Sequence, residues 1–279
     1  MTELLVHANS QATGTSPIVR VTPESAGWTY VGFEVYRSNP SDTVTVSSED
    51  RETTVIVLEG TCDISVDGTV FSDVGSRSSV FSDESPEAIY SPPGRVIRIQ
   101  AKTQTEFAIA TSSSDTFDGQ ARRIGSGDIP YERRGSGSTE RYIRHILDEH
   151  HEAVKLLLVE VVTPSGNWSS YPPHKHDEES SVEAYLEETY YYRINPPHGQ
   201  ALQRVYDKSE LNAVLTPSDG DVVIVPRGYH PVSCPPGFTT YYLNVMAGHH
   251  RVWKYQLDED YAHVAPKDGN IMGQLEFKK

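Results

Sequence analysis

The chain has 279 residues, with 24 Lys and Arg against 39 Asp and Glu, for a formal charge of −15. A surface this acidic argues against nucleic acid or an anionic membrane as the main partner, because both repel negative charge. Length predicts two domains of ~140 residues each, and hydrophobic and charged contents of 37% and 23% belong to a folded chain rather than a disordered or fibrous one.

The opening MTELLVHANSQATG lacks a basic start followed by an apolar core, so no secretory signal is expected. No apolar run approaches the ~20 residues that span a bilayer. Cytoplasm is the expected location, with Cys62 and Cys234, one in each half, as reduced thiols. Short β-rich runs then follow one another: YVGFEVYR (30–37), TTVIVLEG (53–60), TCDISVDG (61–68), VIRIQAK (96–102) and EFAIATSS (106–113). The stretch 112–137 is rich in Gly, Ser and charge and reads as a linker. After it, STERYIRHILDEHHEAV (138–154) is the one helix-like segment, with Ser138 as a cap, although ERYIRHIL also fits alternation. LLLVEVVT (156–163), DVVIVPRG (221–228) and TTYYLNVMAG (239–248) close the series. Many short strands with turn signals every ~8–12 residues predict an all-β sandwich or barrel.

The halves repeat each other. LEGTCDISVDGTVF followed by YSPPGRVIRI is answered by YYYRINPPHGQALQRVYD followed by DGDVVIVPRGYHPV. In each half a hairpin precedes a strand that enters a Pro-x-Gly turn, Pro92-Pro93-Gly94 and then Pro226-Arg227-Gly228. The expected organisation is therefore two tandem β-barrels, 1–111 and 138–279, joined by 112–137. Of eleven histidines only His7 precedes residue 145, so the first barrel is expected to lack metal ligands.

The second barrel has them. In YPPHKH (171–176) the prolines disfavour a helix, and on a strand His174 and His176 face the same way. With an acid at 187 or 188 and with His230, they form a nitrogen-and-oxygen set suited to Zn²⁺, Mn²⁺ or Fe²⁺. Alternation puts Glu188, Tyr190 and Tyr192 on one face and Glu187, Thr189, Tyr191 and Arg193 on the other. Glu188 is favoured as the inward acid, which sends Arg193 outward; Glu187 stays open. The acids Asp177, Glu178 and Glu179 read as a solvated loop, and His249-His250 as a solvated turn.

This pattern resembles the cupin superfamily of jelly-roll barrels. Gly166 with NWSSYPPHKH resembles its first motif, and GDVVIVPRGYH (220–230) its second. A closer resemblance spans both halves. GWTYVGFEVYR (27–37), GSRSSVFSDESPEAIYSPPG (75–94), YPPHKH (171–176), EETYYYRINPP (187–197), QRVY (203–206), DVVIVPRGYHP (221–231) and YYLNVMAG (241–248) are similar to the 5-deoxy-glucuronate isomerase family, bicupins of bacterial inositol catabolism. The resemblance implies interconversion of 5-deoxy-D-glucuronate and 5-dehydro-2-deoxy-D-gluconate, with one divalent ion held by His174, His176, Glu188 and His230.

Such chemistry needs a base near the moving proton, for which Tyr190, Tyr192 and Glu187 are candidates. It also needs a cation for the substrate carboxylate. Arg204 is the first choice, with Arg193 and Arg227 as rivals. The first barrel is expected to act as a scaffold and to leave surface for a homo-oligomer contact. Two other function classes use the same residues: a cupin iron dioxygenase, marked by oxygen uptake, and a non-catalytic sugar-binding module, marked by binding that survives metal removal.

Overall fold

A computed structural model describes residues 3–114 and 119–264 of the chain. Among these residues the strands fall into five antiparallel sheets. The first half contains β1 (Leu5–Val6), β2 (Val19–Val21), β3 (Val31–Ser38), β4 (Thr43–Ser47) and β5 (Arg51–Glu59). It continues with β6 (Cys62–Val66), β7 (Thr69–Val74), β8 (Glu87–Ser91), β9 (Val96–Ala101) and β10 (Thr105–Ser113). Next come β11 (Arg122–Ile124), β12 (Tyr131–Arg134), β13 (Arg141–Leu147), β14 (Leu157–Thr163), β15 (Trp168–Ser169) and β16 (His174–Lys175). The last are β17 (Leu186–Asn195), β18 (Leu202–Tyr206), β19 (Asn212–Leu215), β20 (Val222–Val225), β21 (Val232–Ser233), β22 (Thr239–Gly248) and β23 (Gln256–Leu257).

Among the described residues, a six-stranded sheet in the order β11-β8-β5-β10-β3-β2 and a four-stranded sheet, β4-β9-β6-β7, form the first barrel. A seven-stranded sheet, β1-β20-β17-β22-β14-β13-β12, and a four-stranded one, β15-β21-β18-β19, form the second. Each barrel closes on its own core, with Val55, Val57, Ile64 and Phe107 in the first and Val159, Tyr192, Val205 and Tyr242 in the second. A third core lies between the barrels, where Phe33, Ile56, Leu58 and Ala110 on one large sheet meet Leu158, Tyr191, Leu243 and Val245 on the other. The central strands β5, β17 and β22 are thus buried on both faces. In β5 this matches the apolar run VIVL, whereas the polar residues of β17, such as Glu187, are buried through hydrogen bonds to the other barrel. Both cysteines are free and buried.

Three expectations change. The segment 138–154 is not helical: after a short 3-10 turn at Gly137–Thr139 it forms β13, paired with β12 and β14. Its two faces are packed against different cores, with Ile143 in the second barrel and Ile146 between the barrels, and two-sided burial suits a strand, not a one-striped helix. The stretch 112–137 carries β11, which extends the first barrel's sheet, and β12, which joins the second's; its residues 115–118 lie outside the described residues, as do 1–2 and 265–279 of the barrel ranges. Likewise β1 pairs with β20, so the first residues sit on the second barrel's sheet. Finally, Arg193 does not face solvent. The back of β17 packs on the first barrel, and there Arg193 meets Glu106 at 2.6 Å and Asp219 at 2.9 Å.

The duplication is visible in a pair of equivalent carboxylates, each the second residue of its strand. Glu52 of β5 accepts hydrogen bonds from the backbone N–H groups of Val154, Lys155 and Leu156, just ahead of β14. Glu187 of β17 accepts them from Thr29, Tyr30 and Val31, at the start of β3, each at 2.8 Å. Each barrel therefore ties down the other's incoming chain with a buried acid. Three orphan donors satisfied by one carboxylate make a charge-assisted clamp stronger than neutral bonds.

Candidate metal centre and active-site pocket

The second barrel's inner face is built by alternation. Glu188 and Tyr190 from β17, Tyr242 and Asn244 from β22, and Arg141 and His145 from β13 line one pocket with His174. His174 and His176 flank Lys175 on the strand that β23 covers, and His230 ends the Pro226-Arg227-Gly228-Tyr229 turn after β20. One nitrogen from each of the three imidazoles lies within 4.8 Å of the others, a spacing that can hold an ion.

Local hydrogen bonds aim these rings. A carbonyl only accepts, so Nδ1–H of His176 is donated to Leu186 O (3.0 Å) and Nδ1–H of His230 to Gly228 O (2.8 Å). Both rings are thereby fixed with Nε2 inward. The carboxylate Oε2 of Glu188 stands 3.0 Å from His176 Nε2 and 3.2 Å from His230 Nε2. His230 Nε2 is buried without an aligned hydrogen-bond partner, and an orphaned buried imidazole nitrogen of this kind fits a ligand to an ion. Burial, reinforced by repulsion from the other two imidazoles, keeps His174 well below the usual histidine value. Burial opposes the charge of Glu188, but the hydrogen bond from His176 outweighs it and holds the carboxyl well below the usual range. A cation that displaces the proton between His176 Nε2 and Glu188 would meet neutral nitrogens beside an ionised carboxylate, a donor set for a divalent ion.

The turn that delivers His230 needs glycine. Gly228 has φ +85°, and a Cβ there would sit 2.3 Å from Tyr206 O. Its N–H is held by Asp177 Oδ2 at 2.6 Å. Asp177 is thus no solvated loop residue: it links Lys175, between the two histidines, to the His230 turn.

The other sequence candidates separate. Tyr190 is in the pocket, and its hydroxyl lies 3.0 Å from Ser170 Oγ. Tyr192 points into the same core but deeper, where its hydroxyl donates to Gln203 at 2.8 Å; Gln203 in turn reaches His230 O. Glu187 is not brought to the site, because β17 alternation turns it to the first barrel, where three N–H groups hold it. Arg204 is not there either. It lies over the Tyr206 ring at 3.8 Å, bonded to Asn212, on the outer sheet of the barrel. Arg193 and Arg227 are occupied elsewhere, by Glu106 and Asp207. His249 is exposed and stacks on Tyr185, away from the three histidines.

Three residues that the sequence did not single out, His145, Arg134 and Arg141, line the pocket instead. His145 Nε2 lies 3.0 Å from Glu132, whose carboxylate is also held by Arg134 at 2.6 and 2.7 Å. Burial opposes that charge, yet the His145 and Arg134 contacts hold Glu132 down to about 2. The third is Arg141, 8% exposed. The signal for Arg141 and His145 was the alternation of ERYIRHIL, which puts them with Ile143 on one face of β13.

Comparison with known proteins identifies the family and the fold. The model of the KduI/IolB family matches residues 4–264. A 5-deoxy-glucuronate isomerase of Geobacillus thermodenitrificans is 47% identical over 250 residues, covering 88% of this chain and 90% of its own. The protein of that name from Bacillus subtilis is 38% identical over 248 residues, covering 88% and 91%. Among solved structures, an IolB-like protein from Salmonella typhimurium superposes with a TM-score of 0.91 at 36% identity, covering 95% of this chain and all of that one. An oxalate decarboxylase of Lactobacillus farciminis superposes at 0.67 with 13% identity over 96% and 92% of the two chains, a likeness of fold. Among the described residues no helix is long and apolar enough to cross a membrane.

Proposed function

The chain belongs to the KduI/IolB family, and from that premise we propose that its second barrel interconverts 5-deoxy-D-glucuronate and 5-dehydro-2-deoxy-D-gluconate in bacterial cytoplasm, with one divalent ion held by His174, His176, Glu188 and His230. The observation that carries the reading is the cluster of three imidazoles around the buried Glu188 carboxylate, from which His174 and Glu188 open onto a pocket that also holds proton-carrying groups. The first barrel, formed within 1–111 apart from β1, serves as scaffold, the stretch 112–137 that lends a strand to each barrel joins it to the barrel of 138–279, and Glu52 braces the chain entering β14.

The reaction moves two hydrogens and no net electrons: one proton passes from C2 to C1, another from the C2 hydroxyl to the C1 oxygen, and the carbonyl passes from C1 to C2. An ion of the Mn²⁺, Zn²⁺ or Fe²⁺ kind supplies polarisation of the carbonyl oxygen. The chain's residues do the rest. His145, oriented by ionised Glu132, is the group suited to taking the C2 proton and returning it at C1, following the logic of a base held by a third residue. Tyr190, coupled through Ser170 to Tyr242 at 3.0 and 3.4 Å, offers a hydroxyl to the substrate oxygens. Apolar Leu157 and Val159 close the floor, and Trp253 and Tyr255 from the chain ahead of β23 also line the pocket, limiting water.

The test is turnover of 5-deoxy-D-glucuronate by purified protein before chelation, after it, and after return of each ion in turn. Activity should vanish and return. His145→Ala should keep its metal but lose ~10²–10⁴-fold in kcat, the usual worth of acid–base catalysis. Turnover that survives full metal removal would refute the ion's role, and a full-rate His145→Ala would refute the assigned base.

A further inference from the structure

The reading above leaves the distal carboxylate of the substrate without a partner, and the pocket contains a cation without one. Arg141 begins β13 and is directed by strand alternation into the pocket that His174 and Glu188 also line. A guanidinium carries five N–H donors. Arg141 Nη1 donates to Thr139 O at 3.0 Å and Nη2 to Tyr171 O at 3.1 Å, which leaves three. No carboxylate among the described residues lies within ion-pair distance of it. The neighbouring cations differ: Arg134 and His145 are both satisfied by Glu132. The acids at the same pocket do not supply a partner either, since Asp148 is engaged by His151 at 2.8 Å and Glu149 by the Trp253 N–H.

A buried charge without a counter-ion is costly, and proteins retain one where a ligand supplies the missing charge. Two carbonyls fix the fork in place without neutralising it, so it is preorganised for a bidentate carboxylate. Gly135 makes the room: a Cβ there would fall 2.8 Å from Arg141 Nη1. Burial, with the nearby charge of Arg134, pushes the guanidinium down to about 10, the direction expected of a cation lacking an anion.

We infer that Arg141 is the residue that binds the substrate's carboxylate and sets the preference of the site for a sugar acid over the matching neutral sugar. This rests on the isomerase reading, so the experiment separates the two. Turnover is measured on 5-deoxy-D-glucuronate and on 5-deoxy-D-glucose, in which CH₂OH replaces the carboxylate, for wild type, Arg141→Gln and Arg141→Lys. Binding of the C1-reduced acid, which has no carbonyl to isomerise, is followed by calorimetry on the same metal-loaded proteins, with melting curves as the folding control.

Arg141→Gln should lose ~10–150-fold in kcat/KM for the acid, the worth of a charged hydrogen-bond pair, through KM more than kcat. Its rate on the neutral sugar should stay within about twofold, and Arg141→Lys should recover part of the acid preference. Equal losses on acid and neutral sugar, or undiminished binding of the reduced acid by Arg141→Gln, would overturn the assignment and leave Arg141 a structural brace. If wild type isomerises neither sugar, the named reaction fails, and binding still decides: loss only in Arg141→Gln supports the clamp, while no binding by wild type refutes it.

Discussion

His176→Ala is expected to lose the bound ion and, with it, isomerase activity by more than ~100-fold. Mutating the hydrogen-bond partner of a metal ligand already costs ~10–100-fold in affinity or activity, and removing the ligand itself removes more. His176 is 3% exposed, and its ring is pinned by Leu186 O on one side and Glu188 on the other. No neighbouring side chain can replace its nitrogen without rebuilding the strand. Metal content by emission spectrometry and turnover should fall together. His249→Ala, at a histidine that is exposed and packed on Tyr185, should leave both within about twofold. A His176→Ala protein that keeps its ion and its rate would remove His176 from the site.

The largest effect on stability is expected at Glu160, far from the chemistry. Its two oxygens accept from Arg77 at 2.8 and 2.9 Å, from Arg144 at 3.3 Å and from the Tyr241 hydroxyl at 2.9 Å. Arg77 comes from the first barrel and Glu160 from the second, and both are fully enclosed at 2% and 0% exposure. Burial works against the Arg77 charge, but Glu160 overrides it and holds the guanidinium well above its ordinary value. Removing the acid leaves two buried arginines uncompensated, which costs ~3–5 kcal/mol. In a chain of this size that lowers the melting temperature by roughly 10 °C. Arg20, 63% exposed beside Glu34, provides the contrast: Arg20→Ala should cost less than ~1 kcal/mol. A melting temperature for Glu160→Ala within ~2 °C of wild type would mean that the pair does not join the barrels energetically.

Much of this arrangement could be read from the chain, for physical reasons that differ by residue. His174 and His176 announce themselves because their spacing matches the strand period after two prolines. The face shared by Glu188 and Tyr190 follows from the same period, and the structure turns Glu187 to the opposite face. That face was expected to meet solvent, and it meets another barrel. Nothing local in LEETYYYR distinguishes a sheet with one solvated side from one buried on both, so Arg193 was expected outside although it pairs with Glu106 across the interface. Arg141 and His145 were hidden for another reason. ERYIRHIL carries both a weak helical stripe and an alternation, and only its pairing with β12 and β14 decides between them. Arg204 was chosen by residue type and neighbourhood, and residue type does not reveal which face of a hairpin a side chain takes. Three-dimensional closure, not local preference, settled each of these.

Isomerisation by this pocket is the claim on which every role assigned to its residues depends. The most direct measurement is proton NMR of 5-deoxy-D-glucuronate with the metal-loaded protein in D₂O. Conversion to 5-dehydro-2-deoxy-D-gluconate is expected, with solvent deuterium appearing on the former aldehyde carbon because the transferred proton passes through an exchangeable group, and none of this after chelation. Unchanged substrate with Mn²⁺, Zn²⁺ and Fe²⁺ each supplied in turn would contradict it.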